Sequence, residues 1–185
     1  MKKSTHMILT LSIVGIVSGA VLAGVYQYAH PLIEKNKEQA LQRAIFEVLP
    51  DAKSYDTITR KGKVIYKGLD SSGKLVGYAI IGEGAGYQGV IEIMVGIKPN
   101  LKNTIGIEIL ESVETPGLGA KITSPSFRAQ FHNLKTLPSI KLIKNKPPSK
   151  PNQIQAITGA TISSRAVVDI VNKTVKQARE ILSPS

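Results

Sequence analysis

Two short segments of this chain combine glycine, hydroxyl and carboxyl groups at spacings that could build a site. The first is Glu114-Thr115-Pro116-Gly117-Leu118-Gly119, directly after the run TIGIEIL. A proline and two glycines this close together fix an irregular loop, with Glu114 and Thr115 offering polar groups at its edge. The second is Thr158-Gly159-Ala160-Thr161, leading through Ile162-Ser163-Ser164 into a helical pattern. Small residues at a strand-to-helix junction expose backbone N–H groups where the helix dipole favours an anion, and a phosphate suits such a place. Helix capping accounts for the same residues, with Thr161, Ser163 or Ser164 as the capping hydroxyl and Gly159 as the turn. On spacing alone, capping is the stronger account. A plain turn likewise accounts for 114–119.

A third segment, Gly84-Ala85-Gly86-Tyr87-Gln88-Gly89, spells GxGxxG. Dinucleotide binding by that motif needs a strand before it and a helix after it, so that the helix N-terminus meets the pyrophosphate. Here VIEIMVGI follows, which is strand-like. The glycines instead fit a connection between strands, one where backbone could approach a ligand. Other chemistries are excluded by composition. With no cysteine there is no disulfide, thiol nucleophile, iron–sulfur cluster, thiolate zinc site or c-type haem attachment. His6, His30 and His132 are too scattered for a metal site. A redox role would need an organic cofactor.

The elements that must position these segments read as an α+β domain. The runs VIYKGL (64–69), LVGYAII (75–81), VIEIMVGI (90–97) and TIGIEIL (104–110) are β-branched and partly alternating. Asp70-Ser71-Ser72-Gly73 predicts a hairpin and Lys98-Pro99-Asn100 a turn. Ser124-Pro125 resembles an N-cap with proline at the first helical position, opening a short helix to about Phe131. The loop KLIKNKPPSKP (141–151) leads to a short strand near 154–157. A final helix from about Ser163 to Leu182 carries Val167, Ile170, Val171, Val175, Ala178 and Leu182 on one face.

Ahead of this domain, Met7 to Ala29 supplies the ~20 largely apolar residues that a membrane span needs. A signal peptide cleaved near Val21-Leu22-Ala23 is the rival reading. The run is long for that and continues past Ala23, which favours an uncleaved anchor. Lys2 and Lys3 on a short leading tail favour a cytoplasmic N-terminus and an extracytoplasmic body. Gly15 and Gly19 form a GxxxG pair that would suit a partner helix, although glycine is common in membrane helices and alone signifies little. After Pro31, LIEKNKEQALQRAIFEVL reads as a connecting helix ending at Pro50. The expected organisation is an anchor at 1–30, a connecting helix at 31–50 and a globular domain at 51–185.

Net charge is +11, from 24 Lys plus Arg against 13 Asp plus Glu. Between Glu114 and Asp169 there is no acidic residue, but there are Lys121, Arg128, Lys135, Lys141, Lys144, Lys146, Lys150 and Arg165. Such a face would suit an anionic cofactor, lipid headgroups or an acidic partner. For 141–151 a solvated loop is the stronger account. Nucleic acid is not an expected partner, because no recognisable binding module is present.

Taken in order, GYQGVIEIMVGI, ESVETPGLGAKI and ITGATISSRAVV behind one N-terminal span resemble the G subunit of the Rnf ion-translocating electron-transport complex. That family is related to the C subunit of the sodium-pumping NADH:quinone reductase. The resemblance covers essentially the whole chain, least well at 135–153. It implies a mixed sheet-plus-helix FMN-binding domain with FMN held covalently through its phosphate on Thr161, installed by a separate flavin transferase. Thr158, Gly159 and Ala160 would shape the phosphate bed, with Ser163 or Ser164 donating to it. Glu114, Thr115, Leu118 and, less centrally, Tyr87 would lie against the cofactor. Gln155 stands where the family usually has an acidic residue.

The implied function is an electron carrier in the cytoplasmic membrane, serving other membrane and redox subunits of a complex that couples ferredoxin–NAD electron transfer to ion movement. No independent catalytic residue is expected. The alternatives are a quinone-reductase C subunit or standalone extracytoplasmic flavoprotein, and a cofactor-free anchored module binding an anionic ligand.

Overall fold

The computed structural model describes residues 2–182. Residues 1 and 183–185, the outer ends of the expected anchor and domain, lie outside the described residues. The chain forms two compact units, Met1–Ala40 and Leu41–Ser185.

The first unit belongs to helix α1, Lys2–Val48, which runs unbroken with Pro31 inside it. The sequence alone separates two helices at Pro31, because an interior proline removes one backbone hydrogen bond and crowds the preceding turn. Good helix formers on both sides (Ala29 before; Leu32, Glu34 and Lys35 after) carry the helix through. Residues 3–28 are exposed, among them Leu11, Ile16, Leu22 and Tyr28, and the helix is long and apolar enough to cross a membrane. A helix satisfies its own backbone, the requirement for any segment surrounded by lipid.

In the second unit an antiparallel meander runs β1 (Ser54–Arg60), β2 (Lys63–Leu69), β3 (Leu75–Ala85), β4 (Val90–Ile97) and β5 (Thr104–Ser112), each strand pairing with the next. Among the described residues, parallel pairing is confined to β6 (Lys141–Ile143) with β7 (Gln153–Gln155). The expected hairpin at 70–73 forms around Asp70, whose Oδ1 accepts the N–H groups of Ser72 (2.8 Å) and Lys74 (3.0 Å). Strand β1 was not legible in the sequence: SYDTITR is polar and lies at the sheet edge with most of its residues exposed. The 141–151 segment is partly strand rather than wholly loop.

The sheet is covered on both faces, so β4 reads as a nearly continuous apolar run. Ile91, Ile93, Val95 and Ile97 join the core with Val167, Val171 and Val175. Met94 points the other way, into a second cluster with Ala44, Ile45, Val48 and Leu49. The last turns of α1 are therefore core residues of the Leu41–Ser185 unit. Helix α3 spans Thr161–Leu182 and buries the face expected of it, with Leu182 half-buried.

Between β5 and β6 lie a 3-10 turn, Gly119–Thr123, and helix α2, Pro125–Ala129. Phe127 and Phe131 are buried edge-to-face with ring centroids 5.6 Å apart. Ser124 occupies the cap position with Pro125 behind it, but its side chain makes no capping bond and lies 3.3 Å from the Ser126 hydroxyl. Proline at the first position already removes one donor that a cap would satisfy.

Candidate functional site

Three loops and a helix head converge on an open cleft of about 410 Å3. Tyr87 comes from the β3–β4 turn, Glu114 and Thr115 from the loop after β5, and Leu118 and Gly119 from the entry to the 3-10 turn. Gly159 and Ala160 form the approach to α3, and Thr161, Ile162 and Ser163 its first turn. Gly159 has φ +81°, so the chain reverses there in a conformation that costs a side chain strain. The first N–H groups of a helix lack intrahelical partners, and the dipole adds partial positive charge. The head of α3 is thus the electropositive end of the cleft. Its rim is apolar: Tyr87, Leu118 and Ile162 are 51–63% exposed, and Val90 and Val113 stand exposed on the neighbouring strand ends.

Glu114 ties these parts together although it is only 5% exposed. Its Oε1 accepts the backbone N–H groups of Tyr87 (2.6 Å) and Gln88 (3.1 Å), and its Oε2 accepts the Ser163 hydroxyl proton (2.6 Å). The 114–119 loop closes through Leu118 N–H and Ala120 N–H, both donating to Thr115 O at 3.2 and 3.0 Å.

Eight of the ten residues nominated from sequence line this cleft: Tyr87, Glu114, Thr115, Leu118, Gly159, Ala160, Thr161 and Ser163. Thr158 is exposed and does not line it. Ser164 is fully buried beneath the helix head, where its hydroxyl donates to Ala160 O (2.8 Å) and accepts Ile157 N–H (3.1 Å). The sequence nominates Ser163 or Ser164 as a donor to a phosphate; here the Ser163 hydroxyl donates to Glu114 Oε2 and the Ser164 hydroxyl to Ala160 O. Ser163 and its acceptor Glu114 both line the cleft, whereas Ser164 does not. The cleft is also lined by the hydroxyl-bearing side chains of Tyr87, Thr115 and Thr161, of which Thr161 stands on the head of α3.

Residues 86–176 match the FMN-binding domain family, a range that contains every residue lining the cleft. The G subunit of an ion-translocating oxidoreductase complex from Methanosarcina acetivorans is 35% identical, covering 94% of each chain. Its counterpart in a proton-translocating ferredoxin:NAD(+) oxidoreductase complex from Clostridium ljungdahlii is 34% identical, over 90% of this chain and 87% of the relative. The chain belongs to this family of G subunits. Among solved structures, NqrC from Shewanella oneidensis shares its fold with a TM-score of 0.58, at 20% identity over 73% of this chain and 75% of that one.

Two lining residues escaped the sequence pattern. Gly119 is the last residue of ETPGLG, but nothing in the spelling distinguishes a glycine that turns the chain from one that clears space. Ile162 is an apolar residue left exposed on the first turn of an otherwise amphipathic helix, and that mismatch was the available signal.

The Glu114 carboxylate also links stability to pH. Burial pushes the carboxyl up, but the Ser163 hydroxyl and the Gln88 and Tyr87 N–H groups outweigh it and hold it below the ordinary glutamate range. A depressed folded value contributes stability that is complete above the unfolded value, about 4.3, and is lost as pH falls through the folded one. Denaturant unfolding of the full chain in detergent should show a stability gap between wild type and Glu114→Gln at neutral pH that closes on acidification. A gap independent of pH would rule the charge out as its source.

Proposed function

We propose that this chain is the electron-carrying subunit of an Rnf-type ferredoxin:NAD oxidoreductase complex, and that it carries FMN as a phosphoester on Thr161 Oγ1. The observation that carries the reading is the position of Thr161. It is the first residue of α3 and lies in a cleft within the stretch that matches FMN-binding domains. The fit is chemical as well. An electropositive helix head suits a phosphodiester, and the apolar rim of Tyr87, Leu118 and Ile162 suits a flat ring system. Bound FMN supplies one- and two-electron redox chemistry that no side chain of this protein offers. The residues themselves bind, orient and shield.

Subunits of a membrane redox complex are the implied partners, together with a flavin transferase for maturation. Relatives from Clostridium ljungdahlii and Acetobacterium woodii are named for proton- and Na(+)-translocating complexes respectively, at 34% and 32% identity, so likeness at this level does not choose the ion. The test is intact-mass and peptide mass spectrometry of the full chain, expressed with and without a flavin transferase. An FMN-phosphoryl adduct on Thr161 that depends on the transferase is expected, and an unmodified, colourless protein after co-expression would overturn the reading.

Helix α1 would anchor the chain in the cytoplasmic membrane, with the tail bearing Lys2 and Lys3 inside and the flavin domain outside. The lack of native cysteine makes this simple to check. Ser71→Cys in the exposed β2–β3 turn should react with a membrane-impermeant maleimide in intact cells whose outer layers are permeabilised, and Ser4→Cys only after lysis. The opposite pattern would invert the topology.

A further inference from the structure

The β3–β4 turn carries the GxGxxG spelling and, although it binds no dinucleotide in the Rossmann manner, it does cradle an anion. Successive backbone N–H groups that converge on one point form an anion-binding nest. Those of Tyr87 and Gln88 converge on Oε1 of Glu114, at 2.6 and 3.1 Å. The anion is therefore the protein's own carboxylate. Its other oxygen takes the Ser163 proton at 2.6 Å, on the first turn of α3, where the helix dipole also favours negative charge. Two glycines make room for it: a Cβ on Gly86 would overlap Oε1, and a Cβ on Gly119 would overlap Oε2.

Bracing a loop does not in itself require a charge, since an amide or hydroxyl would serve. Here three donors, a helix head and two glycines accommodate a nearly buried carboxylate on the wall of the cleft. From this we infer that Glu114 is a positioning residue, the resident anion of the cleft. It holds the β3–β4 turn against the head of α3 and, if FMN occupies the cleft as proposed above, biases the bound flavin against reduction. Two-electron reduction with uptake of one proton leaves the flavin ring with one added negative charge, and a fixed, nearly buried carboxylate on the wall of the same cleft opposes that charge. The electrons come from a neighbouring redox subunit, or from dithionite in the test. The nest and Ser163 are also withdrawn from phosphate binding, which leaves that task to the backbone at the head of α3.

The experiment uses the full chain in detergent. Glu114→Gln keeps the shape and an acceptor oxygen but removes the charge, and Glu114→Ala removes both. In flavin-free protein, hydrogen exchange at the Tyr87 and Gln88 amides should quicken by about tenfold or more in Glu114→Ala, as expected when a charge-assisted bond is lost, and stay nearer wild type in Glu114→Gln. In flavin-loaded protein, the midpoint potential should rise in Glu114→Gln. Ser163→Ala, which keeps the charge and removes a compensating donor, should shift it the opposite way.

Exchange unchanged in Glu114→Ala would overturn the positioning role. A loaded Glu114→Gln with the wild-type potential would overturn the electrostatic role. If Glu114→Gln takes up no flavin although wild type does, Ser163→Ala decides, and an unmoved potential there counts against the inference. If wild type takes up no flavin, the FMN reading has failed, and the exchange measurement still decides whether Glu114 positions the turn.

Discussion

Thr161→Ala is expected to abolish covalent flavin while leaving the protein folded. The bonds that fix the head of α3 run through Ser163 to Glu114 and through Ser164 to Ala160 and Ile157, so they do not depend on the Thr161 hydroxyl. Thr161 is half-buried at the cleft, and truncating it leaves the hydrophobic core intact. The cost in stability should accordingly stay within about 1 kcal/mol, the range for substitutions that create no cavity and strand no buried polar group. On the proposed attachment the effect on labelling is all-or-none, because the phosphoester needs an oxygen at this position. Thr161→Ser, which retains that oxygen, should regain adduct, although a smaller side chain with more rotamer freedom presents it less well. Intact mass and in-gel flavin fluorescence, read beside a thermal melt of each variant, separate a lost attachment point from a lost fold. An adduct that persists in Thr161→Ala, or that moves to Thr158, would overturn the assignment.

The parts of this domain that were legible in sequence are those where one local pattern dominates. The runs at 64–69, 75–81, 90–97 and 104–110 became β2 to β5 because β-branched residues recur in segments bounded by turn formers. The buried face of α3 followed from its 3.6-residue period. GxGxxG was separated from a dinucleotide site by the strand that follows it. What escaped depended on distant partners. Glu114 reads as a polar residue at a loop edge, and its three donors stand 27, 26 and 49 positions away. No spacing rule links a carboxylate to a turn on one side and a helix head on the other. The internal partners of the two helix-head serines escaped for a similar reason: no spacing rule shows which acceptors their hydroxyls meet.

The basic excess divides in the same way. Arg128 is ion-paired with Glu108, and Arg179 donates from Nε to Leu101 O (2.9 Å) and from Nη2 to the Thr136 hydroxyl (2.5 Å). Those cations hold the fold. Lys141, Lys144, Lys146 and Lys150 are exposed along 141–151, as a solvated segment requires. The charge balance alone could not distinguish the two sets, because it does not show which cations meet an acceptor inside the domain.

Gly119→Ala should be among the most damaging single-methyl substitutions in the domain. The added Cβ would overlap Glu114 Oε2 and lie 2.8 Å from the Ser163 hydroxyl oxygen and 3.0 Å from Glu114 Cβ. A flexible side chain could step aside, but this carboxylate is held by three hydrogen bonds from two directions. Overpacking of a well-packed site costs about 1–3 kcal/mol, and the melting temperature should fall by several degrees with it. Gly106→Ala is the matched control: a Cβ there meets nothing within 4 Å, and its backbone is not in the left-handed region, so little change is expected. The decisive comparison repeats Gly119→Ala in the Glu114→Ala background. If the carboxylate is what rejects the methyl group, the two substitutions must couple, and Gly119→Ala should cost markedly less once Glu114 is gone. An equal cost in both backgrounds would place the intolerance in the 3-10 turn itself, and the glycine would then serve the backbone and not the buried charge.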